Sequence, residues 1–303
     1  DRGDYETVKS RLGFMIIYDV DGSVTEDMRF ALLRKTQEKP DDVMFAELLV
    51  WFALQMKDYE IALNQEIAID RRLNDREYDI IYLARIARDN EQYDIAINAY
   101  DYLIKKSKEG AFYPEAVVGL TEVEYINSEY DNSEFEKRIE NECQELGIND
   151  MTIPILIIRT DILAFRLKET EKAIELLNNT LELNISRLNK AKLKMKLADI
   201  YLFNEEVWEA TLLYSQVDKS MKEEPIGHEA RYKNAQLRYY IGEFDWSLAV
   251  LNILKSATSK LIANDAMTLS LVISDNLEYD TVALQRLAKA DFYIYQKKYE
   301  LAN

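Results

Sequence analysis

Residues 77–111 read EYDIIYLARIARDNEQYDIAINAYDYLIKKSKEGA, and this stretch decides the fold. Two amphipathic helical patterns flank a tight connection at Asn90-Glu91-Gln92. In the first, Ile80, Leu83, Ala84 and Ala87 recur at three- and four-residue intervals and so share one helical face. In the second, Tyr93, Ala96, Ile97, Tyr100 and Leu103 do the same. Small side chains at Ala84 and Ala96 let two helix backbones approach closely, and Tyr93 and Tyr100 fill the space around them. One helical hairpin of this size has too little core to stand alone, so it must stack on copies of itself.

Copies are found by a short signature: an aromatic residue, then Asp or Glu, with a small residue three positions after the aromatic. It occurs at Tyr5-Glu6 with Val8, Tyr59-Glu60 with Ala62, Tyr93-Asp94 with Ala96, Phe244-Asp245 with Ser247, and Tyr299-Glu300 with Ala302. Weaker forms stand at Thr170-Glu171 with Ala173 and at Val207-Trp208-Glu209 with Ala210. The acidic residue sits in the first turn of a helix, where it favours the positive end of the helix dipole. Slots at 5, 59, 93, 170, 207, 244 and 299 are separated by 54, 34, 77, 37, 37 and 55 residues. Spacings of 34 and 37 are single hairpins, and 77 is two, the middle one divergent. Spacings of 54 and 55 leave room for one additional helix each.

The expected architecture is all-α: one continuous right-handed α-solenoid over residues 1–303. Its hairpins lie near 43–75, 77–110, 113–147, 154–187, 191–224 and 228–260. Extra helices fall near 24–39 and 261–275, with incomplete hairpins at both ends. Pro40, Pro114, Pro154 and Pro225 fall just before or at the start of a hairpin's first helix, where a missing N–H costs nothing. With 8 glycines and 4 prolines in 303 residues, a loop-rich or all-β fold is disfavoured. Hydrophobic residues form 48% of the chain, enough for a substantial core. The first residues carry no initiator Met and the last look like the first turn of a helix, so the chain reads as a piece of something longer.

Acidic residues outnumber basic ones 55 to 38, a formal net charge of −17. Such a surface repels phosphate backbones and anionic lipid heads, so nucleic acid and membrane-surface partners are disfavoured. No apolar run approaches the roughly 20 residues that span a bilayer. Catalytic constellations are hard to assemble. His228 is the single histidine and has no spaced metal-ligand partner, and Cys143 reads as a half-buried helix residue. Asp19, Asp21 and Glu26 in DVDGSVTED superficially suggest a calcium loop but lack the later bidentate glutamate. An acidic interhelical turn is the plainer reading. No Gly-rich phosphate loop occurs. The reading is therefore no enzyme, no cofactor and no bound metal.

At these residues the chain resembles the tetratricopeptide repeat family. That pattern wants a large residue, then Leu and a small residue three and four later, then an aromatic three further on; its second helix wants Ala, an aromatic four later and a small or aliphatic residue three after that. Ile80, Leu83, Ala84, Ala87, Ala96, Tyr100 and Leu103 hold these places in one hairpin. Lys194, Leu197, Ala198, Tyr201, Ala210, Tyr214 and Val217 hold them in another. Arg231 and Asn234 stand where the family is usually apolar. The segment His228–Asn276 is similar to long bacterial tetratricopeptide proteins of the cell envelope, which implies a periplasmic location, with the cytoplasm as the alternative.

The resemblance implies that first helices line a concave face. By register that face holds Trp51; Tyr78, Ile81, Arg85 and Arg88; Ile155, Ile158, Ile162, Phe165 and Arg166; and Tyr232, Gln236, Tyr239 and Tyr240. Aromatic and arginine side chains anchor interfaces because they combine area with directed hydrogen bonds. The expected function is a non-catalytic scaffold that binds another protein or peptide in this groove. The candidate groove residues are Trp51, Tyr78, Arg85, Arg88, Phe165, Arg166, Tyr232, Gln236, Tyr239 and Tyr240. The competing reading makes them core between neighbouring hairpins. The groove reading expects alanine at Tyr239 and Tyr240 to leave stability nearly unchanged. A structural alternative is a spacer or self-associating arm of a longer protein. The family's basic, Asn-rich clamp for a terminal carboxylate is not reproduced.

Overall fold

A computed structural model describes residues 2–127, 129–257 and 259–302. Among the described residues there are seventeen α-helices, one π-helical turn and no strand, so the chain is an all-α helical-repeat protein. It forms two compact units, Asp1–Tyr130 and Asp131–Asn303.

The first unit holds α1 (Arg2–Ile17), α2 (Ser23–Glu38), α3 (Val43–Gln55), α4 (Tyr59–Leu73), α5 (Glu77–Asp89), α6 (Tyr93–Lys106) and α7 (Tyr113–Asn127). Each of α2 to α6 packs on the helix that follows it. Ala84 and Ala96 are fully buried in one apolar cluster with Ile80, Leu83, Ala87 and Tyr100. Close approach is carried further at α7, where a Cβ on Gly119 would overlap the Tyr100 ring. Burying such a ring is worth about 2 kcal/mol. A second cluster joins Met28 and Leu32 of α2 to Leu48, Leu49 and Phe52 of α3.

The second unit holds α8 (Asn132–Leu146), α9 (Ile153–Asp161) ending in the π-helical turn Ile162–Arg166, and α10 (Thr170–Leu181). It continues with α11 (Arg187–Phe203), α12 (Val207–Ser220), α13 (Pro225–Tyr240), α14 (Phe244–Ala257), α15 (Lys260–Leu277), α16 (Thr281–Tyr295) and α17 (Tyr299–Ala302). Helices α11 to α15 pack consecutively, through Ala198, Ala210, Tyr214 and Ala230 in one cluster and Ala235, Leu251 and Ala266 in the next. Helices α2 and α15 lie over the stretches where the long intervals left room. Arg231 and Asn234, at places usually apolar, turn to polar neighbours: Arg231 donates to Asp218 at 2.7 and 3.0 Å, and Asn234 Nδ2 donates to Ser215 at 3.1 Å while its Oδ1 is buried without a partner.

One kind of turn recurs at six of the connections among the described residues. Lys57, Glu91, Lys168, Glu205, Gly242 and Lys297 all have positive φ, and each lies two residues ahead of the next helix. The following N–H reaches back five residues to the preceding helix: Asp58 to Ala53, Gln92 to Ala87, Glu206 to Tyr201, Glu243 to Arg238 and Lys298 to Tyr293, at 2.8–2.9 Å. This is the Schellman arrangement, which satisfies carbonyls left free at a helix end. Glu169 instead reaches back six residues to Leu163, because the π-helical turn inserts one residue there. The turn at Lys297 marks α16 and α17 as a hairpin of the same kind.

Candidate partner-binding groove

Charged side chains on the first helices are spent largely on one another. In the first unit Arg85 grips Glu115 through Nε and Nη2 at 2.5 and 2.6 Å, and Arg88 reaches Glu122 at 3.2 Å. In the second, Lys196 donates to Asp161 at 2.6 Å and Lys233 to both oxygens of Asp199 at 2.7 and 2.8 Å. Each pair joins one first helix to the next. The basic character read along the inner register is thus mainly a set of inter-repeat pins, and Arg85 and Arg88 are not free anchors. Arg166 donates to Asn132 at 3.4 Å.

The aromatic candidates divide. Tyr78 is 60% exposed, with its ring 6.1 Å from Phe112. Its neighbour on the open face is Tyr82, 49% exposed, whereas Ile81 is fully buried. The inner register of α5 therefore runs Tyr78, Tyr82, Arg85, and Ile81, expected on that face, is one residue off it. The four-residue spacing from Tyr78 is the signal that points to Tyr82. Trp51 packs into the α1–α3 cluster, and a Cβ on Gly13 of α1 would touch its ring. It is half-covered by α1 rather than presented to a groove.

In the second unit Tyr239 is 1% exposed and donates to Asp291 of α16 at 2.7 Å. Tyr240 stacks on Phe292 of α16 at 5.2 Å, with Tyr295 at 6.0 Å. These two tyrosines complete a core under α16, so the expectation that alanine there leaves stability unchanged is corrected. Burial first, then the Asp291 carboxylate, pushes both hydroxyls well above the ordinary tyrosine value. Phe165 meets Phe203 edge-on at 5.0 Å, and its carbonyl accepts from Lys297 at 3.3 Å.

Tyr232 and Gln236 have another setting. With Leu188 and Lys192 of α11, Glu229 and Lys233 of α13, and Leu261, Ile262 and Asp265 of α15, they line an open groove of about 760 Å³. Burial and then the Asp265 carboxylate raise the Tyr232 hydroxyl above its usual value. Since Lys233 is committed to Asp199 and Glu229, the uncommitted charge is Lys192 against Glu224 and Asp265. The groove is apolar along its floor and slightly acidic at its rim.

Residues weighed for chemistry take structural roles. Asp19 accepts the N–H groups of Val24 and Thr25, the latter at 2.7 Å, at the start of α2. Asp21 accepts from Ser23. Cys143 is buried, which pushes its thiol up to about 11 and keeps it from being a thiolate. Among the described residues no three His, Cys, Asp or Glu side chains are placed to hold a metal ion. No described helix is long and apolar enough to cross a membrane. Comparison with protein-family models and with curated proteins returns no match.

Proposed function

We propose that the chain is a non-catalytic interaction scaffold of tetratricopeptide type that takes a segment of another protein against the first helices of its hairpins. One observation carries this reading: the groove between α11, α13 and α15, whose apolar floor stays open while Lys233 at its side is pinned to Asp199 and Glu229 and Lys192, Glu224 and Asp265 are left to meet a partner. A segment laid there gains apolar burial without having to break an ion pair. The buried, high-pKa Cys143 and the structural use of Asp19 and Asp21 support the absence of catalysis. A place in the bacterial cell envelope is proposed on the resemblance of residues 228–276 alone.

Affinity capture with quantitative mass spectrometry tests it. Tyr232→Ala with Gln236→Ala is expected to lose partners that the wild-type chain retains. Trp208→Ala with Leu212→Ala, on exposed positions of a second helix, is expected to keep them. An unchanged set of partners with the groove variant would overturn the reading.

The alternative of a self-associating arm has its own support in the exposed Phe14, Ile17, Tyr18 and Phe30 of the first unit. Light scattering over a hundredfold range of concentration decides it: a constant monomer mass removes the arm.

A further inference from the structure

Helix α16 lies on the same first-helix face that the groove belongs to. Phe292 and Tyr295 cover Tyr240, and the two rings join the cluster built from α11, α12 and α13. The polar bonds that hold it are of a general kind. Tyr295 donates to the Asp199 carbonyl at 2.8 Å, and Gln296 to the Phe203 carbonyl at the end of α11 at 2.9 Å. Lys297 and Lys298 follow, the first to the Phe165 carbonyl and the second to Glu205 at 2.7 Å. Carbonyls at helix C-termini and an acidic residue beside them accept from any helix that brings donors to those places.

Helix α16 is anchored by Leu284 and Ala288 in the cluster around Tyr239, whose hydroxyl donates to Asp291, but two features leave the rest of it less committed. Its far side is open, with Leu287 43% and Ile294 51% exposed, and only Leu284 and Ala288 are deeply buried. The face it covers also continues into the open groove, since Tyr232 and Tyr240 stand two turns apart on α13 and Tyr232 lines that groove. Another helix could take the α16 seat and run on into the groove, burying apolar floor that α16 leaves exposed.

We propose that this face is a receptor for an amphipathic helix of a partner protein, and that α16 holds the seat in cis until such a helix displaces it. The partner helix carries the chemistry of 292–298, FYIYQKK: two aromatics three residues apart, then a donor amide and basic residues. This rests on the scaffold reading and adds the partner class and its regulation.

The test uses the full chain with Phe292→Asp and Tyr295→Asp, which empties the seat, and a fluorescent peptide of residues 281–302 as the probe. Anisotropy is expected to show the peptide binding this variant at least tenfold more tightly than the wild-type chain. The same peptide carrying both substitutions is expected to bind neither. Gln296→Ala with Lys298→Ala, which keeps the aromatics, is expected to give an intermediate affinity. Equal affinity for variant and wild type overturns the proposal. So does loss of the cooperative unfolding transition in the variant, which would make α16 part of the core. A concentration-dependent wild-type dimer that excludes the peptide would put a second copy's α16 in the seat and overturn the assignment to a partner. If the peptide fails while partner capture still depends on Tyr232 and Gln236, the cis-held seat falls and the scaffold stands; if both fail, both fall.

Discussion

Lys57, Glu91, Lys168, Glu205 and Lys297 adopt a left-handed conformation that costs a side chain about 1 kcal/mol. Only Gly242 meets the same turn without a Cβ. Glu91→Gly is therefore expected to stabilise the first unit by about 0.5 kcal/mol in urea unfolding, and Gly242→Ala to destabilise the second by about 1 kcal/mol. Gly119→Ala acts through packing, because its methyl overlaps the Tyr100 ring. A loss of about 2 kcal/mol is expected, reduced when Tyr100 is also made Leu. Glu66 is buried, with Asp79, Glu47 and Asp75 raising and Arg76 lowering its pKa; burial is the main cause of its rise to about 7. An acid whose folded value lies above its unfolded one lends stability that is complete below pH 4.5 and is lost as pH rises through 7. The first unit should lose on the order of 3 kcal/mol across that window, and Glu66→Gln should remove the slope in pH-dependent denaturation. Period and size suffice to read the buried Ala84, Ala96 and Tyr100 from the sequence. They do not separate Ile81 from Tyr82, because adjacent residues on a helix differ by about 100° and the repeat pattern tolerates either as the edge of the apolar stripe.

Helices are readable because each carries its own punctuation. Asp42, Asp58, Asp131 and Asp280 cap the starts of α3, α4, α8 and α16 by accepting backbone N–H groups. Pairing between elements is less readable, because the partners stand 30 to 35 residues apart in Arg85–Glu115, Lys196–Asp161 and Lys233–Asp199. Read singly, those bases look like anchors for a ligand. Asp199 shows their other use: it also accepts from Tyr214 at 2.6 Å and ties α11, α12 and α13 together. Asp199→Ala is expected to cost about 3 kcal/mol, since it leaves Lys233 with only the longer contact to Glu229 and the buried Tyr214 hydroxyl without its acceptor. A double-mutant cycle with Lys233→Met should recover much of that loss. The seat of α16 has no local signal at all. Its 281–295 pattern reads as one more first helix, and only long-range bonds such as Tyr295 to Asp199 place it on the inner face.

At the scale of the whole chain, charge outweighs any single contact. A net charge of −17 over 303 residues makes the folded state repel itself. Raising ionic strength from about 0.01 to about 0.15 M shortens the screening length from about 30 to about 8 Å. Thermal stability is expected to rise over that range, against the trend set by the short-range pins, and calorimetry at the two salt concentrations checks the sign. Charge also bears on partners: a helix bringing basic residues to Glu205 and the ends of α9 and α11 is drawn in, while phosphate backbones are repelled. The central claim is that partners meet the inner face of the second unit. Site-specific photo-crosslinking tests it most directly, with a photoreactive phenylalanine placed at Gln236 in one chain and at Trp208 in another. The account predicts a crosslinked partner from position 236 and none from 208. A crosslink from 208 with none from 236 would contradict it.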